Sequence, residues 1–257
     1  MTNELPLDSK VALVTGAGSG IGRAIATLFA ENGALVIVND LNESGREIAD
    51  EIGGVFLQAD LADMEQAAAL GRRAEEVEGR VDLLVNNAGL QKVMPVDEYP
   101  DELWAMLIQV MLIAPFQLTK RVLPGMRERG WGRIINMASI HGLVASPFKS
   151  AYVSAKHGLI GLTKTVALEA GEYGVTVNAI CPSYARTPIV ENQIADTAKA
   201  RSMDPDDVVK NIMLEPAAIK RLIEPDEIAR LALFLASEDA RSMTGSTYNV
   251  DVGWTAR

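Results

Sequence analysis

Cysteine, positive charge and aromatic side chains are scarce in this chain of 257 residues. The single cysteine, Cys181, excludes a disulfide within the chain and suits a reducing compartment, so we expect a cytoplasmic location. Its apolar surroundings in the sequence favour a small buried strand residue over a nucleophile. The 34 acidic and 24 basic residues give a net charge of −10, which argues against nucleic-acid binding because polyanions need a basic surface. An anionic ligand would therefore need local positive groups.

Targeting segments, membrane spans and linkers are also missing from the sequence pattern. The first ten residues have neither a basic nor an apolar region, so no signal peptide is expected. No apolar run approaches the ~20 residues that span a bilayer, and we expect no membrane contact. No Pro/Gly/Ser-rich linker divides the chain, and we assign no residue to a metal site. With 48% hydrophobic and 23% charged residues, the composition predicts one globular domain over residues 1–257.

What the sequence does contain is a regular alternation of short apolar runs and longer amphipathic stretches. It predicts strands at 11–15, 34–39, 55–58, 81–86, 132–137, 176–180 and 247–250, with helices at 21–32, 43–52, 63–78, 101–129, 151–173 and 225–237. This order is typical of a Rossmann-type, doubly wound parallel sheet with helices on both faces. The segment 188–224 breaks the alternation, and we interpret it as a helical lid near the carboxyl ends of the strands. The alternative is a variable surface excursion.

A glycine-rich turn follows the first predicted strand and opens the first helix. Residues 15–22 read T-G-A-G-S-G-I-G, in which Gly16, Ser19, Ile21 and Gly22 are the candidate contacts. Glycines at these places allow a tight turn and a close backbone approach to a pyrophosphate at a helix N-terminus. Asp40 ends the second strand, where a carboxylate can accept hydrogen bonds from ribose hydroxyls and would repel a 2′-phosphate. The pattern therefore favours NAD over NADP.

Tyr152 and Lys156 are four residues apart, on one face of a predicted helix. A tyrosine normally titrates near pH ~10, and a neighbouring ammonium is expected to lower that pKa and produce an acid/base closer to working pH. Ser139 precedes the pair by 13 residues and can hydrogen-bond the same substrate oxygen. The competing interpretation is a packed tyrosine with two ordinary polar residues.

These motifs, in this order and spacing, resemble the short-chain dehydrogenase/reductase family along the whole chain. The resemblance rests on the glycine turn, the N-N-A-G segment at 86–89, and Ser139 with the Tyr152–Lys156 pair. It implies hydride transfer between a nicotinamide and an alcohol carbon. It also implies that Asp60 and Leu61 lie beside the adenine, that Asn87 borders the cofactor, and that Thr187 contacts the carboxamide. Lys156 would then contact the nicotinamide ribose.

A narrower resemblance is to the members of that family that oxidise 3-hydroxybutyrate. It rests on the segments 138–146, 149–152, 155–158, 178–182 and 186–188, on Gln91 and Gln193, and on the C-terminal G-W-T-A-R. It implies that Gln91, His141, Lys149 and Gln193 bind a substrate carboxylate, and that the protein is a homotetramer packed through its long helices. Lys149 would supply the local positive charge that an acidic protein otherwise lacks.

Three residues depart from the family pattern. Met111 stands seven residues after Trp104, where the family has an asparagine that helps to hold a proton-relay water. Methionine is a weak acceptor and no donor, so the relay is either rebuilt by backbone and water or slowed. Ser183 replaces a glycine, and Tyr184 replaces a tryptophan of the 3-hydroxybutyrate enzymes. Two alternatives therefore stay open: another small alcohol or sugar-acid dehydrogenase, and a low-turnover NAD-binding sensor.

Overall fold

Seven parallel strands form one sheet. The structure is a computed structural model that describes residues 5–256, except for the side chains of residues 196, 197 and 199–201; residues 1–4, part of the segment without a signal pattern, and residue 257 lie outside the description. The strands are β1 Val11–Thr15, β2 Leu35–Asn39, β3 Val55–Phe56, β4 Leu83–Asn86, β5 Gly132–Met137, β6 Val175–Pro182 and β7 Thr247–Val250. Their order across the sheet is β3-β2-β1-β4-β5-β6-β7. The predicted doubly wound parallel sheet is confirmed.

The helices cover both faces of this sheet because alternate strand residues point to opposite sides. The helices are α1 Gly20–Glu31, α2 Ser44–Ile52, α3 Met64–Glu78, α4 Asp101–Ile108, α5 Ala114–Arg129, α6 Ser150–Ala170, α7 Pro188–Arg201, α8 Pro205–Val208 and α9 Pro225–Ala236. On β1, Leu13 packs toward the helices α3 to α6, whereas Ala12 and Val14 pack toward α1, α2 and α9.

The carboxyl ends of the strands meet along one edge of the sheet. Thr15 pairs with Asn39 in the β1–β2 ladder, and Asn86 pairs with Asn136 in the β4–β5 ladder. Since the register holds these ends level, the loops that follow β1, β2, β4, β5 and β6 open on the same side of the molecule. That is the side on which ligands bind in open parallel sheets.

The stretch Asp101–Arg129 is not the single α-helix that the sequence predicts. A π-helical turn, Gln109–Ile113, separates α4 from α5. Hydrophobic periodicity does not reveal such a turn, because one extra residue per turn leaves both flanking helices amphipathic. The π turn places Val110 and Met111 in the core.

The same stretch corrects the expectation about long apolar segments. It has 29 residues and a mean hydropathy of 1.4, and it is the single helix in the described part of the chain that could cross a bilayer by length and composition. Isolated polar residues such as Gln109 and Gln117 interrupt it in the sequence, which is why no continuous apolar run is visible. In this fold Leu107, Leu118 and Val122 pack into the core beneath the sheet.

The segment 188–224 folds around a small core of its own. Ile194, Val208, Met213 and Leu222 are buried together, and Trp254 from the C-terminal turn packs against them. The main chain of the segment is tied to the rest of the fold where Ala218 and Ile219 donate hydrogen bonds to the carbonyl of Val252. The segment is thus a packed helical excursion beside the carboxyl edge of the sheet.

Candidate active site

A cavity of about 610 Å³ opens at the carboxyl edge of the sheet. It runs from the glycine turn after β1, past the loops after β2 and β4, to the loop after β5, the start of α6 and the first turns of α7. The predicted site residues that line it are Gly16, Ser19, Ile21, Asp40, Asp60, Leu61, Asn87, Gln91, Ser139, His141, Lys149, Tyr152, Lys156, Thr187 and Gln193. The structure therefore brings these positions together, and Gly22 lies beneath the turn rather than on the wall.

The glycine turn has little room for side chains. Gly16 and Gly20 have φ of +62° and +55°, in the left-handed region that favours glycine. A Cβ on Gly22 would lie 2.2 Å from the carbonyl oxygen of Gly16. The turn therefore presents bare backbone to the cavity at the N-terminus of α1, the arrangement in which a pyrophosphate can be held by N–H groups.

Asn87 fixes this turn from behind. Its side-chain amide donates hydrogen bonds to the carbonyls of Thr15 and Gly16 at 2.9 and 3.0 Å. The hydroxyl of Thr15 in turn accepts from the backbone N–H groups of Asn87 and Ala88. The border position that the sequence predicts for Asn87 is thus also a bracing position between β1 and β4.

Two carboxylates follow the next strands along this edge. Asp40 accepts hydrogen bonds from the N–H groups of Gly18 and Asn42 at 2.9 and 3.0 Å. Asp60 accepts from the N–H of Ala62 at 2.8 Å. The glycine cradle with Asp40 beside it has the shape and donor–acceptor set that a dinucleotide needs, so the residues present fit such a cofactor.

Ser139, Tyr152 and Lys156 converge at the other end of the cavity. Ser139 follows β5, and its hydroxyl hydrogen-bonds the Tyr152 hydroxyl and accepts from the N–H of His141 at 3.1 Å. Lys156 is buried, donates to the carbonyl of Met137 at 2.7 Å, and has its Nζ 5.5 Å from the centre of the Tyr152 ring. The predicted side-by-side arrangement of Tyr152 and Lys156 is present.

The pKa expectation for Tyr152 needs a correction. Burial raises the pKa of Tyr152 above its ordinary value, and the hydrogen bond from Ser139 opposes that rise only in part. Burial also lowers the pKa of Lys156 to about 8. The Lys156 ammonium donates its hydrogen bond to the Met137 carbonyl and lies near the Tyr152 ring rather than at the hydroxyl. Desolvation therefore affects the pKa of Tyr152 more than the charge of Lys156 does.

Lys149 is a buried cation without a counter-ion. Its side chain is 5% exposed, and no acidic side chain that the structure describes forms an ion pair with it. Its Nζ lies 3.5 Å from the hydroxyl of Tyr184. Burial lowers the pKa of Lys149 to about 8. Burying an ammonium costs free energy unless an anion is close to it. A negatively charged ligand group would therefore be stabilised at this position.

Two further polar side chains line the same cavity as Lys149. Nε2 of His141 and Nε2 of Gln91 are buried and have no hydrogen-bond partner within the described part of the chain. Burial, with the charge of Lys149 second, lowers the pKa of His141 to about 4. His141 is therefore neutral at pH 7, and it packs edge-on against Tyr152 and Trp254 at 6.1 Å between ring centres. Trp254 thus supports the site from outside the wall.

Two positions that depart from the family pattern lie at the catalytic end. Met111 is fully buried. A Cβ built on Gly89 would be 3.6 Å from the Met111 sulfur and 3.8 Å from Nζ of Lys156, so the thioether and the ammonium flank the same point. Ser183 lines the cavity after β6.

A buried chain of polar side chains lies behind the site and is not among the predicted site residues. The Asn86 side chain donates to Oδ1 of Asn136 at 2.8 Å, and the Asn136 amide donates to the hydroxyl of Thr163 at 2.9 Å. These bonds tie β4, β5 and α6 together directly beneath Ser139 and Lys156. The signal was present in the sequence, because an asparagine inside the apolar strand R-I-I-N-M is out of place unless it has partners.

The fold, the glycine cradle and the Ser139–Tyr152–Lys156 constellation define a nicotinamide-dependent oxidoreductase. The chain belongs to the short-chain dehydrogenase/reductase family. A family model described as "Enoyl-(Acyl carrier protein) reductase" matches residues 16–255.

Relatives and a solved structure cover almost the full length. The chain is 45% identical to D-beta-hydroxybutyrate dehydrogenase of Rhizobium meliloti (strain 1021), over 97% of this chain and 100% of the relative. It is 44% identical to the protein of the same name from Cupriavidus necator, over 98% and 100%. It is 45% identical to the uncharacterized oxidoreductase YxjF of Bacillus subtilis (strain 168), over 96% and 99%. A crystal structure described as ribose-5-phosphate isomerase from Brucella melitensis 16M superimposes with a TM-score of 0.88 at 34% identity, over 98% of this chain and 95% of that one.

Proposed function

We propose that the protein is an NAD-dependent dehydrogenase of small 3-hydroxy acids, with D-3-hydroxybutyrate as the leading substrate. The observation that carries the proposal is Lys149, a buried ammonium that pairs with none of the described acidic side chains and lies in the cavity that holds Ser139, Tyr152 and Lys156. A substrate with a carboxylate two bonds from its secondary alcohol can neutralise Lys149 while its hydroxyl lies at Tyr152. The two relatives named D-beta-hydroxybutyrate dehydrogenase support this choice.

Each side chain then has a definite task in the reaction. Tyr152 takes the hydroxyl proton of the substrate, Ser139 hydrogen-bonds and orients the same oxygen, and Lys156 supplies positive charge beside the developing phenolate. The glycine turn and Asp40 would hold NAD⁺, which would supply the hydride acceptor for the carbinol carbon, so that alcohol and NAD⁺ would give ketone, NADH and one proton. Lys149, with Gln91, His141 and Gln193, holds the carboxylate and so fixes which face of the alcohol is presented.

The choice of NAD rests on Asp40. Its carboxylate faces the glycine turn through the N–H of Gly18. A 2′-phosphate there would bring like charges together, whereas ribose hydroxyls can donate to the carboxylate.

The helical segment 188–224 serves as the lid of this site in our proposal. Ile189, Val190 and Gln193 from its first helix line the cavity. We also propose a homotetramer located in the cytoplasm. Exposed apolar side chains on the long helices support the assembly, among them Trp104, Phe116 and Leu168.

A second candidate function is a sensor that binds NAD with little turnover. The observation in its favour is the buried thioether of Met111 beside Lys156, in place of a polar link to solvent. A sugar-acid or other small alcohol is the second candidate within the enzyme class.

One experiment separates these functions. NADH formation is followed with both enantiomers of 3-hydroxybutyrate, other hydroxy acids, neutral secondary alcohols and sugar acids, with NAD⁺ and NADP⁺ in parallel. We expect turnover of D-3-hydroxybutyrate with NAD⁺ and little with NADP⁺. Binding of NAD without turnover of any compound would instead support the sensor, and turnover confined to neutral alcohols would refute the role of Lys149.

A further inference from the structure

Tyr184 lies where the segment 188–224 meets the substrate end of the cavity. Its backbone is fixed by the sheet: the N–H of Ile223 donates to its carbonyl at 3.0 Å, and the N–H of the preceding residue, Ser183, donates to the carbonyl of Val250 at 3.1 Å. The Tyr184 ring packs against the small core of the segment, and its side chain lines the cavity. Because both backbone and ring are held, the position of the hydroxyl does not depend on a ligand.

The Tyr184 hydroxyl lies beside the ammonium of Lys149. Its oxygen is 3.5 Å from Nζ, which is 5.5 Å from the centre of the Tyr184 ring, so the charge lies at the hydroxyl end of the side chain. A hydrogen bond of 3.5 Å is long and weak. Since an ammonium only donates, the phenolic oxygen is the acceptor in this contact, and its own proton is left for another group. That proton forms no hydrogen bond within the described part of the chain.

Lys149 and Tyr184 therefore present two donors to the same small volume. Donors 3.5 Å apart can both reach one carboxylate at the usual distance of about 2.7–3.2 Å. Burial, with the neighbouring Tyr152 second, raises the pKa of Tyr184, so the phenol keeps its proton at pH 7. A ligand whose alcohol lies at Tyr152 and whose carboxylate lies at Lys149 passes beside this hydroxyl.

We infer that Tyr184 is a further substrate-binding residue, whose hydroxyl donates a hydrogen bond to the carboxylate that Lys149 binds. The inference rests on the proposed function and deepens it. Lys149 supplies charge with little direction, because its ammonium is a compact charge with three rotatable donors. Tyr184 adds one donor of fixed direction on a packed ring. Together the two side chains select a carboxylate over a neutral group of the same shape and fix its orientation.

The test is a double-mutant cycle on kcat/KM for D-3-hydroxybutyrate with NAD⁺ saturating. Tyr184→Phe removes only the hydroxyl and should lower kcat/KM by about tenfold or more, through KM, as expected for a hydrogen bond to a charged group. In a Lys149→Met background the same change should still lower kcat/KM by at least about threefold, because the phenol donates to the carboxylate itself. Tyr173→Phe is the matched control, since Tyr173 is an exposed tyrosine in the turn after α6.

Three results would overturn the inference and leave the proposed function standing. One is a kcat/KM that Tyr184→Phe leaves unchanged. Another is a loss that disappears in the Lys149→Met background, which would mean that Tyr184 only positions Lys149. The third is a loss in kcat alone, which would place the hydroxyl at the reacting oxygen. Thermal unfolding shows whether each variant is folded, and Tyr184→Met, which also lacks a donor, replaces a phenylalanine variant that is not.

A binding measurement separates the inference from the function on which it rests. Butanoate keeps the carboxylate of the substrate and has no alcohol to oxidise, and calorimetry follows its binding to the protein with NADH. If the wild type oxidises no hydroxy acid but binds butanoate about tenfold more tightly than Tyr184→Phe does, the proposed function fails and the role of Tyr184 stands. Equal binding by the two proteins, or no binding by either, overturns the role of Tyr184.

Discussion

The two halves of the cavity satisfy their polar groups in different ways. In the glycine half, Asn87 bonds to the carbonyls of Thr15 and Gly16, and Asp40 bonds to the N–H of Gly18. In the substrate half, Lys149 forms no ion pair with a described acidic side chain, and His141 has a buried nitrogen without a hydrogen-bond partner among the described groups. In the glycine half, the fold itself supplies the hydrogen-bond partners of these groups. In the substrate half, packing holds polar groups that still lack a partner, and a bound ligand can supply it.

Tyr152→Phe tests the substrate half with the largest expected effect. Removing the proton acceptor should lower kcat by about 10²–10⁴-fold, the usual contribution of a positioned acid/base. Binding of NADH, measured by its fluorescence, should change little because the glycine half is untouched. Tyr173→Phe is the control for loss of a tyrosine hydroxyl. A Tyr152→Phe enzyme within tenfold of the wild type would contradict the role of Tyr152.

Gly22→Ala tests the completeness of the glycine half. The new Cβ would lie 2.2 Å from the Gly16 carbonyl, so the turn has to move. We expect NAD⁺ affinity to fall by at least about tenfold and the free energy of unfolding to fall by about 1–3 kcal/mol, as for overpacking. Titration and thermal unfolding measure the two effects. Gly171→Ala is the control, since nothing lies within 4 Å of a Cβ there, and equal behaviour of both variants would refute the argument.

Lys149→Met should separate binding from stability. The KM for 3-hydroxybutyrate should rise by about tenfold or more, while Lys164→Met on the exposed side of α6 should leave it unchanged. Burial holds the pKa of Lys149 at about 8, below its ordinary value of 10.5. The charged form therefore costs stability below pH 8, and this cost disappears as the pH rises from 8 toward 10.5. The variant should accordingly unfold at a higher temperature at pH 7.

The pH dependence of the reaction gives a second measurement on the same residue. In the wild type, affinity for the carboxylate should weaken above about pH 8 as free Lys149 loses its proton. In Lys149→Met this bend in KM should vanish. A bend in kcat from Lys156, whose pKa is also about 8, should remain in both enzymes. A KM profile that is the same in both enzymes would assign the bend to another group.

Met111→Asn is the substitution with the smallest expected effect on the reaction. The wild type is expected to turn over, and asparagine should raise kcat by about two- to tenfold, the value of one hydrogen bond. Met111→Leu keeps the volume and should match the wild type. A wild type without any turnover that is rescued by asparagine would refute the enzymatic proposal in its present form.

The sequence predicted the fold and the positions of the site better than it predicted the electrostatics. β1, β5 and β7 begin and end at the predicted residues, because each is a short run of strand-forming residues with no helical periodicity. The prediction of a lowered pKa for Tyr152 was wrong. The direction of that shift depends on the burial of the hydroxyl and on which group the Lys156 ammonium hydrogen-bonds, and neither can be seen in a sequence. The unpaired state of Lys149 was likewise invisible, because a sequence does not show which charges fail to meet.

The π turn Gln109–Ile113 has a consequence for how this chain tolerates insertions and deletions. A π turn contains one residue more than the α-helical turn that it replaces, so the extra residue is accommodated within one turn of the helix. Removing that residue would make Asp101–Arg129 a regular helix in which Leu107 of α4 and Leu118 of α5 still face the same core. A residue added or removed elsewhere in α4 or α5 would instead rotate the helix that follows by about 100° around its axis. This segment should therefore tolerate a deletion in the π turn better than a change of length in the helices beside it.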